Sequence, residues 1–132
     1  MTAPVDHRAF YLMQPYERFA AWRESYALAL ATYKATVAFP KHELYGLTSQ
    51  SRRAAYSVVA NLVEGSAKRG AREFRRFLDI SIGSLAELSI AFRLAWDMDY
   101  LDEVAWDNLE DQRRRAASLV WQLYRSLGER GQ

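Results

Sequence analysis

Five cations fall within residues 68–76: Lys68, Arg69, Arg72, Arg75 and Arg76. Lysine and arginine neutralise phosphate oxygens and each contact releases a condensed counterion, so a cluster of this kind suits the holding of a polyanion. Arg72, Arg75 and Arg76 are three and four residues apart and share one side of a helix, partly offset by Glu64 and Glu73. Arg52 and Arg53 lie upstream, and Arg113, Arg114 and Arg115 form a secondary basic run near the end. Between residues 51 and 76 seven basic residues stand against two acidic ones, a net of +5; the rest of the chain has eleven against fourteen, a net of −3. The overall +2 therefore hides a local positive field. A solvated face of ordinary ion pairs is the alternative for any single arginine, and clustering is what favours a polyanion surface. Such contacts position a nucleic acid without reading its sequence.

Other chemistries find few residues to build with. There is no cysteine, which removes disulfides, thiolate metal sites and a cysteine nucleophile together. The histidines are His7 and His42, so the paired Glu-x-x-His motifs of a di-iron bundle cannot be assembled. His42 beside Glu43 is an acid–base pair with no evident nucleophile or oxyanion site. Asp79 and Glu87 interrupt the third apolar segment; each is either a tuned carboxylate or, the preferred reading, the partner of an arginine or part of a polar layer. The expectation is a binding protein, not an enzyme, with no metal and no cofactor.

The elements that must position these cations are helical. Prolines are confined to Pro4, Pro15 and Pro40, and apolar residues recur at helical spacing with no strand-like alternation. The first segment, residues 16–38, aligns Phe19, Trp22, Tyr26, Leu30, Tyr33 and Val37 as its core stripe, and Phe39-Pro40 ends it. Thr48 is the expected N-cap of the second, whose face is Leu47, Ala54, Ala55, Val58, Leu62 and Val63 and whose end is Glu64-Gly65. Gly70 caps the third, with a seam of Phe74, Leu78, Ser81, Leu85, Leu88, Phe92 and Ala95. Asp102 caps the fourth, which continues through Leu109, Ala116, Val120, Leu123 and Leu127.

Four such segments with short connections predict an all-α, antiparallel up-down-up-down four-helix bundle over residues 16–129, with an N-terminal extension at 1–15 and a tail at 130–132. The third and fourth segments carry a second apolar stripe: Ile80, Ile82, Ile90, Leu94, Trp106, Trp121 and Tyr124. Either it widens the core or it makes subunit contacts, and the excess over one seam favours a homo-oligomer. No stretch reads as a secretory signal or a membrane span, so a soluble cytoplasmic protein is expected.

The order Phe19-x-x-Trp22, Phe39-Pro40-x-x-Glu43-x-Tyr45-Gly46-Leu47-Thr48-x-Gln50, Arg52-Arg53-Ala54-Ala55, Ala60-Asn61-x-x-Glu64-Gly65, Glu73-Phe74-x-Arg76-Phe77-Leu78 and Gly83-Ser84-Leu85-Ala86-Glu87-Leu88 resembles the bacterial four-helix-bundle family of 23S rRNA intervening-sequence proteins. The likeness spans residues 16–127 and is most specific over 39–88. It implies a small homopentamer; a related group, the accessory variability proteins of diversity-generating retroelements, implies nucleic acid and a reverse transcriptase as partners, and RNA is the ligand expected for this chain. It implies no active site. Val59 stands where the family commonly has proline, so a less kinked second helix is expected. The rival reading is a protein-interaction scaffold whose second apolar stripe meets a partner.

Overall fold

The computed structural model describes residues 14–130, so most of the expected N-terminal extension and part of the tail lie outside the described residues. After a 3-10 turn at Pro15–Arg18 come α1 (Ala20–Thr36), a second 3-10 turn at Lys41–Glu43, α2 (Leu47–Ser66), α3 (Ala71–Asp97) and α4 (Glu103–Arg130). Successive helices pack as antiparallel neighbours and α4 closes back on α1, which leaves α2 and α4 on a diagonal. No helix among the described residues is long and apolar enough to cross a membrane.

The α3 seam faces the interior as its spacing predicts: Phe74, Leu78, Ser81, Leu85, Leu88, Phe92 and Ala95 are all buried. In α4, Leu109, Ala116 and Val120 are buried, and Leu123 and Leu127 pack on the core from its margin. Asp102 caps α4, its Oδ1 accepting the Ala105 N–H at 2.8 Å. Gly70 precedes α3 at φ 88°, a left-handed conformation that favours glycine. The second helix runs unbroken through Val59.

The first helix overturns the expected stripe. Its core-facing positions are Ala21, Ser25, Leu28, Thr32 and Thr36, about a third of a turn from the aromatic row. Tyr26, Leu30, Tyr33 and Val37 are exposed, whereas Phe19 and Trp22 pack on the core edge. Two of the three buried hydroxyls are locally satisfied, Thr32 Oγ1 donating to the Leu28 carbonyl at 2.8 Å and Thr36 Oγ1 to that of Thr32 at 2.9 Å, whereas Ser25 Oγ has no hydrogen-bond partner. Small residues thus line the inside of α1 and leave the bulky ones out.

One further correction concerns α2. Thr48 is buried in its first turn and does not cap it; Glu43 does, with Oε1 accepting the Leu47 N–H at 3.1 Å and Oε2 accepting the Tyr100 hydroxyl at 2.9 Å. The helix ends at Ser66, as expected, and Gly65 in its last turn sits under α3, where an added Cβ would lie 2.8 Å from Phe77 Cβ and 3.2 Å from the Phe74 carbonyl. Higher up the same seam, Ser81 Oγ donates to the Val58 carbonyl at 2.8 Å and Ser84 meets Ser57 at 2.8 Å.

Gly65→Ala should therefore destabilise the fold by about 1–3 kcal/mol, the usual cost of forcing extra volume into a packed contact, measured as a lowered urea midpoint with unchanged slope. The Leu47 N–H, then the Tyr100 hydroxyl, hold the Glu43 carboxyl below the ordinary carboxylate value, while Glu43 pushes the Tyr100 phenol up. A lowered carboxyl contributes stability above its unfolded-state pKa and loses it as pH falls through the folded one. Tyr100→Phe should move the NMR titration of Glu43 upward, and its destabilising effect at neutral pH should fade as Glu43 protonates; an unmoved titration would contradict this account of the cap.

Candidate nucleic-acid interface

The α2–α3 connection is short, so Lys68, Arg69 and the first two turns of α3 emerge together at one end of the molecule. The structure divides the expected phosphate contacts by what each side chain already holds. Arg53 donates to Gln50 and pairs with Glu87 at 3.2 Å, Lys68 is 4.0 Å from Glu64, and Arg76 pairs with Glu73 at 3.2 Å. Glu87 is thus an arginine's partner on an exposed face, and Asp79 is exposed as well. Arg52 lies over the Tyr33 ring and donates to Thr36 Oγ1 at 2.8 Å. It sits with Arg53 near the far end of α2, about 20 Å from the connection by helical rise.

Arg69, Arg72 and Arg75 engage no carboxylate among the described residues. Arg72, Arg75 and Arg76 line an open cleft of about 710 Å³ between α3 and α4, bounded also by Glu73, Asp79, Tyr124 and Gly128. Arg75 is the most constrained of them. Its guanidinium lies over the Tyr124 ring at 4.3 Å, and the seat exists because residue 128 is glycine: a Cβ there would meet Arg75 Cζ at 3.0 Å. Its Nε is shielded from solvent with no hydrogen-bond partner, an unmet donor inside the site.

The secondary run is paired with carboxylates. Arg113 is mostly buried and grips Glu110 with two hydrogen bonds, one of them 2.9 Å; Arg114 reaches the same carboxylate at 3.8 Å, and Arg115 pairs with Asp111 at 3.1 Å and approaches Glu24 at 4.0 Å. Because α4 is diagonal to α2, these arginines do not join Arg52 and Arg53 in a band.

The second apolar stripe also divides. Ile82, Trp106 and Tyr124 pack against the core, with Trp106 stacked on Trp96 at 4.3 Å, whereas Ile80, Ile90, Leu94 and Trp121 are exposed. Sequence reasoning missed the outward row of α1: Tyr26, Ala29, Leu30 and Tyr33 form an apolar groove of about 260 Å³ with Tyr56 and Val59 of α2. The available signal was the absence of any charged residue from Ala54 to Val63, three turns that offer water nothing ionic on any side.

His42 and Glu43 are committed to the α2 cap and Tyr100, whose hydroxyl is 3.3 Å from His42 Nε2. Among the described residues no three histidine, aspartate or glutamate side chains are grouped as metal ligands would be. No curated protein matches the chain. The family model described as 23S rRNA-intervening sequence protein matches residues 17–122, most of the four helices, and the chain belongs to that family.

Proposed function

We propose that the protein is a non-enzymatic, homo-oligomeric RNA-binding bundle that grips phosphates at the α3–α4 cleft. The observation that carries the reading is Arg72 and Arg75 lining one cleft with no carboxylate partner among the described residues. Arg69 lies at its approach, and the exposed pairs made by Arg76 and Lys68 are of a kind contributing about 0–1 kcal/mol, which a phosphate can replace. Arg52 and Arg53 are placed to follow a longer backbone. Membership in a family described by 23S rRNA favours RNA over DNA. A role beside a reverse transcriptase or an rRNA-associated element is compatible with a ligand held by its backbone alone.

Self-association is supported by a different surface. Three tyrosines, each carrying about 150–250 Å², are 43 to 65% exposed at Tyr26, Tyr33 and Tyr56 beside Leu30 on the α1–α2 face, and Ile80, Ile90 and Leu94 give α3 a second exposed apolar face; a standard interface takes about 800 Å² per partner. Gly83 lies mid-helix on α3 with nothing within 4 Å of an added Cβ, so the chain's own packing does not require it. Such a glycine costs about 1 kcal/mol against alanine, and its open flank admits a second backbone. The α1–α2 groove and the α3 face are different surfaces, so copies pair head to tail, the arrangement that closes into rings such as a pentamer.

Generic RNA should bind at 50 mM salt with affinity falling steeply and log-linearly as salt rises. Charge reversal, Arg72→Glu with Arg75→Glu, should flatten that slope and weaken binding at least tenfold with helicity intact; unchanged affinity overturns the cleft as the site. In sedimentation at micromolar concentration the wild type should run well above its 15.2 kDa chain mass, and Leu30→Glu with Tyr56→Glu should return it to monomer. A wild-type monomer would leave the apolar face to another protein, the scaffold reading.

A further inference from the structure

Beside the arginine cleft stands an aromatic surface that phosphate binding alone does not use. Trp121 of α4 is 47% exposed, and its ring lies parallel to Tyr124, 9° between planes and 5.4 Å between centroids. Tyr124 in turn carries the Arg75 guanidinium. Indole, phenol and guanidinium therefore form one assembly that runs from a cation at Arg75 to a half-exposed indole at Trp121. Arg75 is fixed there by the Gly128 seat, and Arg72 and Arg76 border the same cleft.

Two features depart from what a core-filling tryptophan needs. Trp22, Trp96 and Trp106 are all partly buried and stacked on neighbouring rings, whereas Trp121 is the tryptophan classed as exposed among the described residues. It also stands one helical turn from a cleft in which Arg72 and Arg75 have no carboxylate partner among the described residues. An aromatic plane next to a cationic groove is the arrangement that engages unpaired nucleotides, since the groove takes the phosphate and the plane takes the base. A paired base has both faces covered by its neighbours in the duplex and cannot reach the indole.

We infer that the cleft selects single-stranded nucleic acid, with an unpaired base stacking on Trp121 while Arg72 and Arg75 hold the adjoining phosphate. This rests on the phosphate-binding role of the cleft and adds to it a discrimination between strand forms. Base identity is not read, because every base presents a π-face to the indole. Trp121 leaves the set of subunit contacts under this assignment and becomes a ligand contact.

The test compares a labelled ten-nucleotide oligouridylate with a blunt RNA duplex carrying the same number of phosphates, at one salt concentration, by fluorescence anisotropy. The wild type should favour the unpaired strand at least tenfold. Trp121→Ala should lose about tenfold or more on that strand, in line with alanine effects at stacking sites, and leave the duplex affinity unchanged; Trp121→Phe should keep most of the preference. Equal affinity for both RNAs, or an unchanged preference in Trp121→Ala, overturns the inference and leaves the phosphate-binding cleft standing. Failure of the wild type to bind either RNA at 50 mM salt overturns both. Sedimentation of Trp121→Ala should match the wild type; dissociation to a smaller species would assign the indole to a subunit contact and overturn its role as a base platform.

Discussion

The close approach of α2 to α3 is the contact on which the rest of the molecule depends. It is made by side chains too small to hold helices apart: Gly65 beneath Phe74 and Phe77, Ser81 bonded to the Val58 carbonyl, and Ser84 against Ser57. Interiors pack to near-crystalline density, so such a seam fixes register as well as distance. The basic connection springs from one end of this seam, and the register sets where Arg72 and Arg75 point. Arg75 then reaches across to α4, which brings Tyr124 and Gly128 into the same cleft.

Charge is sorted by depth and partner rather than by sequence density. The chain holds two arginine-rich stretches of similar appearance, yet in the one on α4 every arginine of the run 113–115 meets a carboxylate. Glu110 is buried and two arginines of the following turn converge on it, an arrangement that compensates a carboxylate removed from water. Around the cleft the carboxylates Glu73 and Asp79 are open to solvent to different degrees, and Arg72 and Arg75 pair with none among the described residues. A count of basic residues treats the two stretches alike; the field each presents to a ligand differs.

This difference also marks how much was legible beforehand. Most of the α3 seam could be read because Phe74, Leu78, Leu85, Leu88 and Phe92 are large and apolar, although Phe77, Ser84 and Ala91 are buried beside it, and the Asp102 cap because an acidic residue at that position has one local job. The face of α1 could not, because its interior is Ala21, Ser25, Thr32 and Thr36 around Leu28, and a pattern search follows the bulkier aromatic row. Thr48 lost the cap to Glu43 through a 3-10 turn that spacing does not reveal. The cations of the candidate site were all visible as residues. Which of them hold carboxylates depends on contacts between helices, such as Arg53 with Glu87, thirty-four positions apart.

The small interior of α1 has a consequence for how the molecule comes apart. Leu28 is the one large side chain at its buried positions, and the hydroxyls of Thr32 and Thr36 donate to the helix's own backbone, Thr36 alone also accepting from a neighbour, Arg52 of α2. Little apolar area is therefore lost when this helix lifts away, and local opening free energies follow such area. The first helix is the natural fraying unit of an isolated chain, while α2 and α3 remain joined as its most protected foldon.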